Sequence, residues 1–252
     1  MTDSLLDIAR LGGTTMGSTW SVSRVAPRQR DLHPLHAGIQ ARLNEVVAQM
    51  STWDAGSDLA RYNRAAAGQW CPLPAETRHV LAAAQAIAAT SDGAFDPTLG
   101  PLVALWGFGA QAGPRRVPDA ATLQATRARC GWQQLQWRAD ALLQPGGLEL
   151  DLSAIAKGFG VDHVAACLRA QGITAALIEV GGELAGYGRK PDGQPWRVLV
   201  ESAPEEDAHG DTPPRVLALD GKAVATSGDR WHQYHADGQA YSHSLDPRTG
   251  MP

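Results

Sequence analysis

A strand is predicted to lead directly into a helix in the stretch Leu150-Asp151-Leu152-Ser153-Ala154-Ile155-Ala156-Lys157-Gly158-Phe159-Gly160. Ser153 is a residue type that favours the N-cap of a helix, and apolar periodicity predicts the helix from about Ile155 to Ala170. Gly172 closes that helix. A buried strand is predicted next, at Ala175 to Val180, so the stretch opens a strand–helix–strand unit.

Helical periodicity lies mainly before this unit, and strand patterns lie mainly after it. Apolar residues recur at helical spacing from Leu35 to Met50, and an Ala-rich helix is predicted from Pro74 to Thr90. Short strands are predicted in the last third of the chain, ending at Gln239 to Leu245. Helices that come early and strands that come late predict an α+β fold class.

Composition excludes several classes of protein. The 252 residues are 44% hydrophobic and 19% charged, which is typical of a globular chain. The net charge of −4 argues against a nucleic-acid partner, which would require a basic patch. No run of about 18 apolar residues predicts a membrane span. Residues Met1 to Arg10 lack a signal-peptide pattern, so we expect a cytoplasmic protein; the alternative is a periplasmic one whose signal or lipid anchor has been removed.

Metal ligands of the zinc type are not indicated. The three cysteines, Cys71, Cys130 and Cys167, form no C-x-x-C pair. His232 and His235 are the closest approach to a paired histidine ligand, but on a strand they would face opposite sides. The sequence therefore predicts no zinc site.

Three polar segments carry chemistry. The helix start that contains Lys157 and Gly158 suits a phosphate, although an ordinary Ser-capped helix with a solvated lysine explains it equally well. Glycines and prolines in Ser91 to Leu102 present Phe95 beside Asp96; this is either a ring-stacking site with a carboxylate acceptor or a structural turn. The final stretch, Tyr241 to Pro252, is rich in turn residues and polar groups. It is either a loop that forms a binding site or a surface hairpin tip that happens to be polar.

Two further side chains suit a flat ring. Met16 lies in a Gly/Thr loop, Gly13 to Trp20, that leads into a strand, and its thioether adapts to planar ligands. Trp53 follows the first predicted helix and is either a stacking wall or part of the core.

Taken in order, these segments resemble one family. Together with Glu179-Val180-Gly181-Gly182-Glu183-Leu184 and Ala225-Thr226-Ser227-Gly228-Asp229, they are similar to the motifs of the ApbE family, the FAD:protein FMN transferases. The resemblance covers residues 13–252 and leaves residues 1–12 as an N-terminal extension. It implies a single T-fold-like α+β domain with a mixed or antiparallel sheet and packed helices.

The resemblance also implies an enzyme and its reactants. FMN would be moved from FAD onto a Ser or Thr hydroxyl of a target flavoprotein, with magnesium as cofactor and release of AMP. Two alternatives stay open: an FAD pyrophosphatase that uses water as acceptor, and a non-catalytic FAD-binding protein.

Site residues follow from the matching positions of the family. His243 and Asp246 are the implied catalytic residues, and the main-chain carbonyl of Ala156 is the implied magnesium ligand. The implied FAD contacts are Met16, Trp53, Ala94, Phe95, Asp96, Ser153, Phe159 and Leu245. Family members continue beyond the element that ends at Pro252, and an Asp and a Thr in that continuation complete their magnesium site. We therefore expect the remaining ligands beyond Pro252.

Overall fold

The computed structural model describes residues 6–27, 31–200, 215–228 and 232–252. The chain divides into two compact units, one made of Met1–Asn44 with Lys157–Thr226 and the other of Glu45–Ala156 with Ser227–Pro252. Helices and antiparallel strands occur in both units, which confirms the predicted α+β class.

Six helices and twelve strands are present in the described residues. The helices are α1 (His33–Met50), α2 (Asp58–Asn63), α3 (Ala75–Thr90), α4 (Gly100–Leu105), α5 (Ala120–Arg127) and α6 (Ala156–Ala170). The first six strands are β1 (Leu6–Thr15), β2 (Ser18–Pro27), β3 (Trp70–Pro72), β4 (Trp137–Arg138), β5 (Ala141–Leu143) and β6 (Ala176–Val180). The other six are β7 (Glu183–Tyr187), β8 (Trp196–Leu199), β9 (Val216–Leu219), β10 (Lys222–Val224), β11 (Gln233–Ala236) and β12 (Gln239–Ser242).

The first unit is built on a five-stranded antiparallel sheet in the order β1-β2-β6-β7-β10. Its strands β1 and β2 form a hairpin whose two-residue turn is Met16-Gly17, and both residues have positive φ, of 51° and 69°. Such turns match the right-handed twist of the flanking strands. A two-stranded β8–β9 ribbon belongs to the same unit.

The core of this unit lies between the sheet and two helices. Apolar side chains of α1, such as Ile39 and Leu43, and of α6, such as Val164 and Leu168, are buried against Ile178 of β6. Their spacing of four residues on each helix keeps them on one face. None of the described helices is both long enough and apolar enough to cross a membrane.

The second unit has smaller sheets and an aromatic cluster. Strands β3, β5 and β4 form a three-stranded antiparallel sheet, and β11 pairs with β12 in a hairpin. One face of that hairpin packs Tyr234 and Tyr241 against Trp106 and Phe108. Trp106 is fully buried, and its indole N–H donates to the carbonyl of Gly250, 2.8 Å away. This bond ties the hairpin side of the unit to the last turn of the chain.

Residues 148–152 do not form the predicted strand. They have no regular secondary structure apart from a single bridge, between Leu99 and Glu149. The side-chain amide of Asn63 explains why this segment is stable, because it donates to the carbonyl of Leu150 and accepts from the N–H of Leu150 (2.9 and 2.8 Å). The amide thus supplies the hydrogen bonds that a neighbouring strand would make.

Two other boundaries differ from the expected ones. Helix α6 begins at Ala156, and Ser153 lies in the preceding turn, where its N–H donates to the carboxylate of Asp151 (2.8 Å). The turn brings the N–H of Ala156 within 2.8 Å of the carbonyl of Leu152. Strand β1 begins at Leu6, inside the predicted N-terminal extension of residues 1–12. Residues 1–5 of that extension lie outside the described part of the chain. The domain boundary at residue 13 stays a prediction.

Candidate active site

A cleft of about 320 Å³ in the second unit borders several of the predicted segments. Thr52, next to Trp53, lies on its wall, and so does Asp151, two residues before Ser153. Gly100 and Phe108 also line it. The volume falls within the range of small-molecule sites. We call this the narrow cleft.

Trp53 and Ser153, which lie next or close in sequence to residues of that wall, are open to solvent. Trp53 has 73% of its surface exposed, although the backbone on which it sits is fixed. The N–H groups of Trp53 and Asp54 both donate to the hydroxyl of Ser51, each at 3.1 Å. Ser153 is also exposed. An exposed indole on a fixed backbone is available for stacking on a ligand ring.

His243 follows the β11–β12 hairpin and is exposed. Its imidazole centroid lies 6.4 Å from that of Phe108, with an angle of 66° between the planes. It also lies 5.2 Å from the centroid of the His232 ring, with an angle of 75° between the planes. Leu245 is half-buried and packs against the same aromatic cluster. Phe108 therefore links the predicted catalytic imidazole to the narrow cleft.

Asp246 is engaged within its own turn. Its carboxylate accepts from the backbone N–H of Arg248 at 2.9 Å and forms a two-pronged ion pair with the guanidinium, at 2.9 and 3.0 Å. Hydrogen bonds from Arg248 lower the pKa of Asp246 below its ordinary value and raise that of Arg248. The stabilising contribution of Asp246 is thus present above the ordinary carboxyl pKa and is lost as the pH falls through the lowered one.

Asp96 is buried, and its carboxylate accepts hydrogen bonds from other groups of the protein. Its Oδ1 accepts from the N–H and the hydroxyl of Thr98 (2.8 and 2.6 Å), and its Oδ2 accepts from the N–H of Trp132 (3.1 Å). The hydroxyl of Thr98 in turn accepts from the N–H of Gly131 at 2.7 Å. The two side chains therefore fasten residues 131–132 to the turn that presents Phe95. Phe95 itself is half-buried.

A second, wider cleft of about 470 Å³ lies beside this network. Asp96 and Trp132 line it, and so do Pro247 and Arg248. The structure thus brings Asp96 close to the turn of Asp246. Cys130 lies on the same wall; burial raises the pKa of its thiol to about 11, so the thiol stays protonated at neutral pH and is no nucleophile. Ala94, next to Phe95, is exposed.

Met16 and Phe159 belong to the first unit. Met16 is half-buried in the β1–β2 turn, and its methyl group lies 3.3 Å from where a Cβ at Gly160 would stand. Phe159 stacks on His163, one helical turn further along α6, with centroids 5.4 Å apart. Lys157 donates to the carbonyl of Gly181 at 3.3 Å. This hydrogen bond directs the side chain of Lys157 toward the Gly181-Gly182 turn between β6 and β7.

Metal ligands are not gathered in the part of the chain that the structure describes. No group of three or more His, Cys, Asp or Glu side chains there could hold a metal ion. Ala156, whose carbonyl is the implied magnesium ligand, is buried at the first residue of α6. Asp229, quoted in one of the family motifs, lies outside the described residues. The described side chains therefore do not by themselves fit a magnesium ion, and the metal assignment stays a prediction.

Comparison with known proteins decides the family. A model described as the ApbE family matches residues 16–252. The chain belongs to the ApbE family. It is 38% identical over 244 residues to a protein of Vibrio cholerae named FAD:protein FMN transferase, covering 96% of this chain and 72% of that one. A relative of the same name from Klebsiella pneumoniae is 35% identical over 247 residues, with 96% and 70% covered.

A solved member of the ApbE family has the same fold. The structure of the Pseudomonas stutzeri flavinyl transferase ApbE, in its apo form, superimposes with a TM-score of 0.88 at 41% identity. The match covers 100% of this chain and 78% of that one. The ApbE-like architecture predicted from the sequence is thereby confirmed, and so is membership of the ApbE family. The roles of individual site residues stay predictions.

Sequence reasoning did not single out Phe108 or His232 for this site. Phe108 lies between two glycines with positive φ, Gly107 (78°) and Gly109 (74°), and an aromatic residue between glycines signals a turn that presents a ring. In the sequence, His232 stands out only through its spacing to His235, which does not fit a metal site. Its relation to His243 depends on the register of the hairpin, for which the sequence offers no direct signal.

Proposed function

We propose that this chain transfers FMN from FAD to a Ser or Thr hydroxyl of a target flavoprotein, in a magnesium-dependent reaction that releases AMP. Its relatives in the ApbE family are named FAD:protein FMN transferases, so the predicted enzyme class is confirmed. The acceptor hydroxyl, the metal and the leaving group are the finer parts of the proposal. They are supported by the resemblance and by the chemistry of the side chains.

The observation that carries the proposal is the placement of His243. Its imidazole is exposed to an incoming acceptor and contacts Phe108, which lines the narrow cleft. A histidine so placed suits a general base, because a neutral imidazole nitrogen can accept the proton of a hydroxyl within hydrogen-bond reach. Asp246 is less suited to that task, because its ion pair with Arg248 keeps it ionised and weakly basic.

The proposed reaction is one substitution at phosphorus. His243 takes the proton of the acceptor hydroxyl, and the hydroxyl oxygen bonds to the phosphorus on the riboflavin side of FAD. The bond from that phosphorus to the bridging oxygen breaks, and AMP leaves with this oxygen. Positioning and charge stabilisation contribute most of the catalysis in such transfers.

The magnesium dependence is proposed from general chemistry and from the resemblance. A divalent cation bound near a pyrophosphate would neutralise charge on its oxygens. The described side chains form no metal-binding group. Within the described residues we propose one ligand, the main-chain carbonyl of Ala156, which the resemblance implies. Cytoplasmic location likewise stays a prediction.

The test uses a flavoprotein subunit that carries the acceptor Ser or Thr, incubated with this protein, FAD and magnesium. We expect mass spectrometry to show the subunit heavier by FMN less one water, with one AMP released for each flavin attached. The same subunit with Ala at the acceptor position is the matched control and stays unmodified. Free FMN and AMP with no labelled subunit would identify a pyrophosphatase instead, and intact FAD would identify a carrier.

A further inference from the structure

The β11–β12 hairpin places a second histidine beside His243. Tyr234 and Tyr241 are directly paired across the hairpin, and both pack into the aromatic cluster. Side chains two residues apart on a strand share a face. His232 and His243, each two residues beyond its tyrosine, therefore continue that face, and the N–H of His243 donates to the carbonyl of His232 at 3.0 Å.

The two imidazoles meet edge to face. Their centroids are 5.2 Å apart, and the ring planes make an angle of 75°. Phe108 makes a similar but longer contact with His243, at 6.4 Å and 66°. T-shaped arrangements are favoured because the positive edge of one ring meets the negative face of the other. His243 thus contacts both an apolar ring and a polar one.

We propose that His232 is a positioning residue, which holds the imidazole of His243 in the orientation that accepts the proton of the acceptor hydroxyl. This proposal rests on the proposed function. An exposed histidine at the end of a hairpin has several rotamers open to it. The cross-strand ring of His232 restricts these rotamers, and a base held near its reactive geometry acts faster than one that must find it.

The test compares substitutions on the two faces of one strand. His232→Ala removes the ring, His232→Phe keeps a planar ring without the imidazole nitrogens, and His235→Ala is the matched control. His235 is also exposed but lies on the opposite face from Tyr234. FMN transfer is measured at saturating acceptor, with kcat and the KM for FAD determined separately.

We expect His232→Ala to lower kcat by about two- to tenfold and to leave the KM for FAD unchanged, a loss on the scale of one aromatic edge contact. His232→Phe should retain most of kcat, and His235→Ala should match the wild type. Wild-type kcat in His232→Ala would overturn the proposal. An equal loss in His232→Ala and His232→Phe would also overturn it, because the ring contact would then not matter.

A measurement without catalysis separates this proposal from the proposed function. In protein labelled at histidine, the ring-proton resonances of His243 sense the neighbouring ring, so we expect them to shift in His232→Ala and not in His235→Ala. Unshifted resonances would contradict the contact even if transfer occurs. If His243→Gln transfers FMN at the wild-type rate, the proposed base is wrong; shifted resonances would then confirm only the contact.

Discussion

The carboxylate of Asp246 has two possible tasks, closing its turn and providing charge for the reaction. Asp246→Asn keeps the shape of the side chain but removes the ion pair to Arg248. We predict that FMN transfer falls at least about tenfold while the protein stays folded, because the segment that carries the proposed base, His243, loses a negative charge three residues further along. Steady-state kinetics and circular dichroism measure the two effects.

Arg248→Gln is the matched control for that substitution. It breaks the same ion pair but leaves the carboxylate of Asp246 in place. If charge at Asp246 matters, Arg248→Gln should lose less activity than Asp246→Asn. Equal activity in both variants, at wild-type level, would show that Asp246 only forms the turn.

Phe95 is one of two half-buried aromatic residues among the predicted FAD contacts; the other is Phe159. Asp96, the neighbour of Phe95, is fastened to Thr98 and Trp132, so the ring of Phe95 is presented from a fixed backbone. We predict that Phe95→Ala weakens FAD binding by about 1–2 kcal/mol, the scale of an aromatic contact. Fluorescence titration measures the dissociation constant, and a thermal melt checks folding. Unchanged affinity would remove Phe95 from the site.

At the scale of elements, the Asp96–Thr98 pair connects two segments that are distant in sequence. Thr98 is fully buried, and its hydroxyl both donates to Asp96 and accepts from the N–H of Gly131. Thr98→Val nearly keeps the volume and removes both bonds, which leaves the N–H of Gly131 unpaired and leaves the Oδ1 of Asp96 with the N–H of Thr98 alone. We predict a loss of about 1–3 kcal/mol in the free energy of unfolding, measured with urea. Thr122→Val is a control, because Thr122 bonds Asp119 at the surface of α5 and should cost less.

The turn after β7 requires a residue without a side chain. Gly188 has a φ of 63°, and a Cβ there would lie 2.2 Å from the carbonyl oxygen of Thr174. We predict that Gly188→Ala destabilises the protein by about 3 kcal/mol or more, because both the clash and the left-handed backbone oppose it. Gly193→Ala is the control, since its φ is 77° but its Cβ would meet open space; we expect about 1 kcal/mol. Equal melting temperatures for the two variants would contradict this explanation.

Elements with a strong local period were predictable from the sequence, whereas those held by distant side chains were not. Helix α1 repeats apolar residues at the helical period, and Leu35, Ile39 and Leu43 are buried as expected. Residues 148–152 have the alternation of a strand, but their backbone is bonded by Asn63, 87 residues away from Leu150. No local pattern signals that partner. For the same reason the motifs indicated His243, and only the hairpin register brought His232 to it.

For the whole molecule, the proposed magnesium dependence requires oxygen ligands that the described side chains do not gather. Magnesium requires about six oxygen ligands in octahedral geometry and often takes some of them from substrate phosphates. The described residues contain no cluster of carboxylates that would bind the ion alone. FAD brings two phosphates. We therefore expect magnesium binding to depend on FAD binding, because the phosphates of FAD would supply part of the ligands of the ion.

This coupling predicts a thermal signature that needs no turnover. A ligand that binds only the folded protein raises the melting temperature according to its concentration and affinity. We predict that millimolar magnesium alone leaves the melting temperature unchanged, that FAD alone raises it, and that both together raise it further than FAD alone. Calcium in place of magnesium controls for ionic strength and tests selectivity, because calcium prefers longer bonds and more ligands. A full shift with magnesium alone would mean that side chains of this chain form a complete metal site without the pyrophosphate.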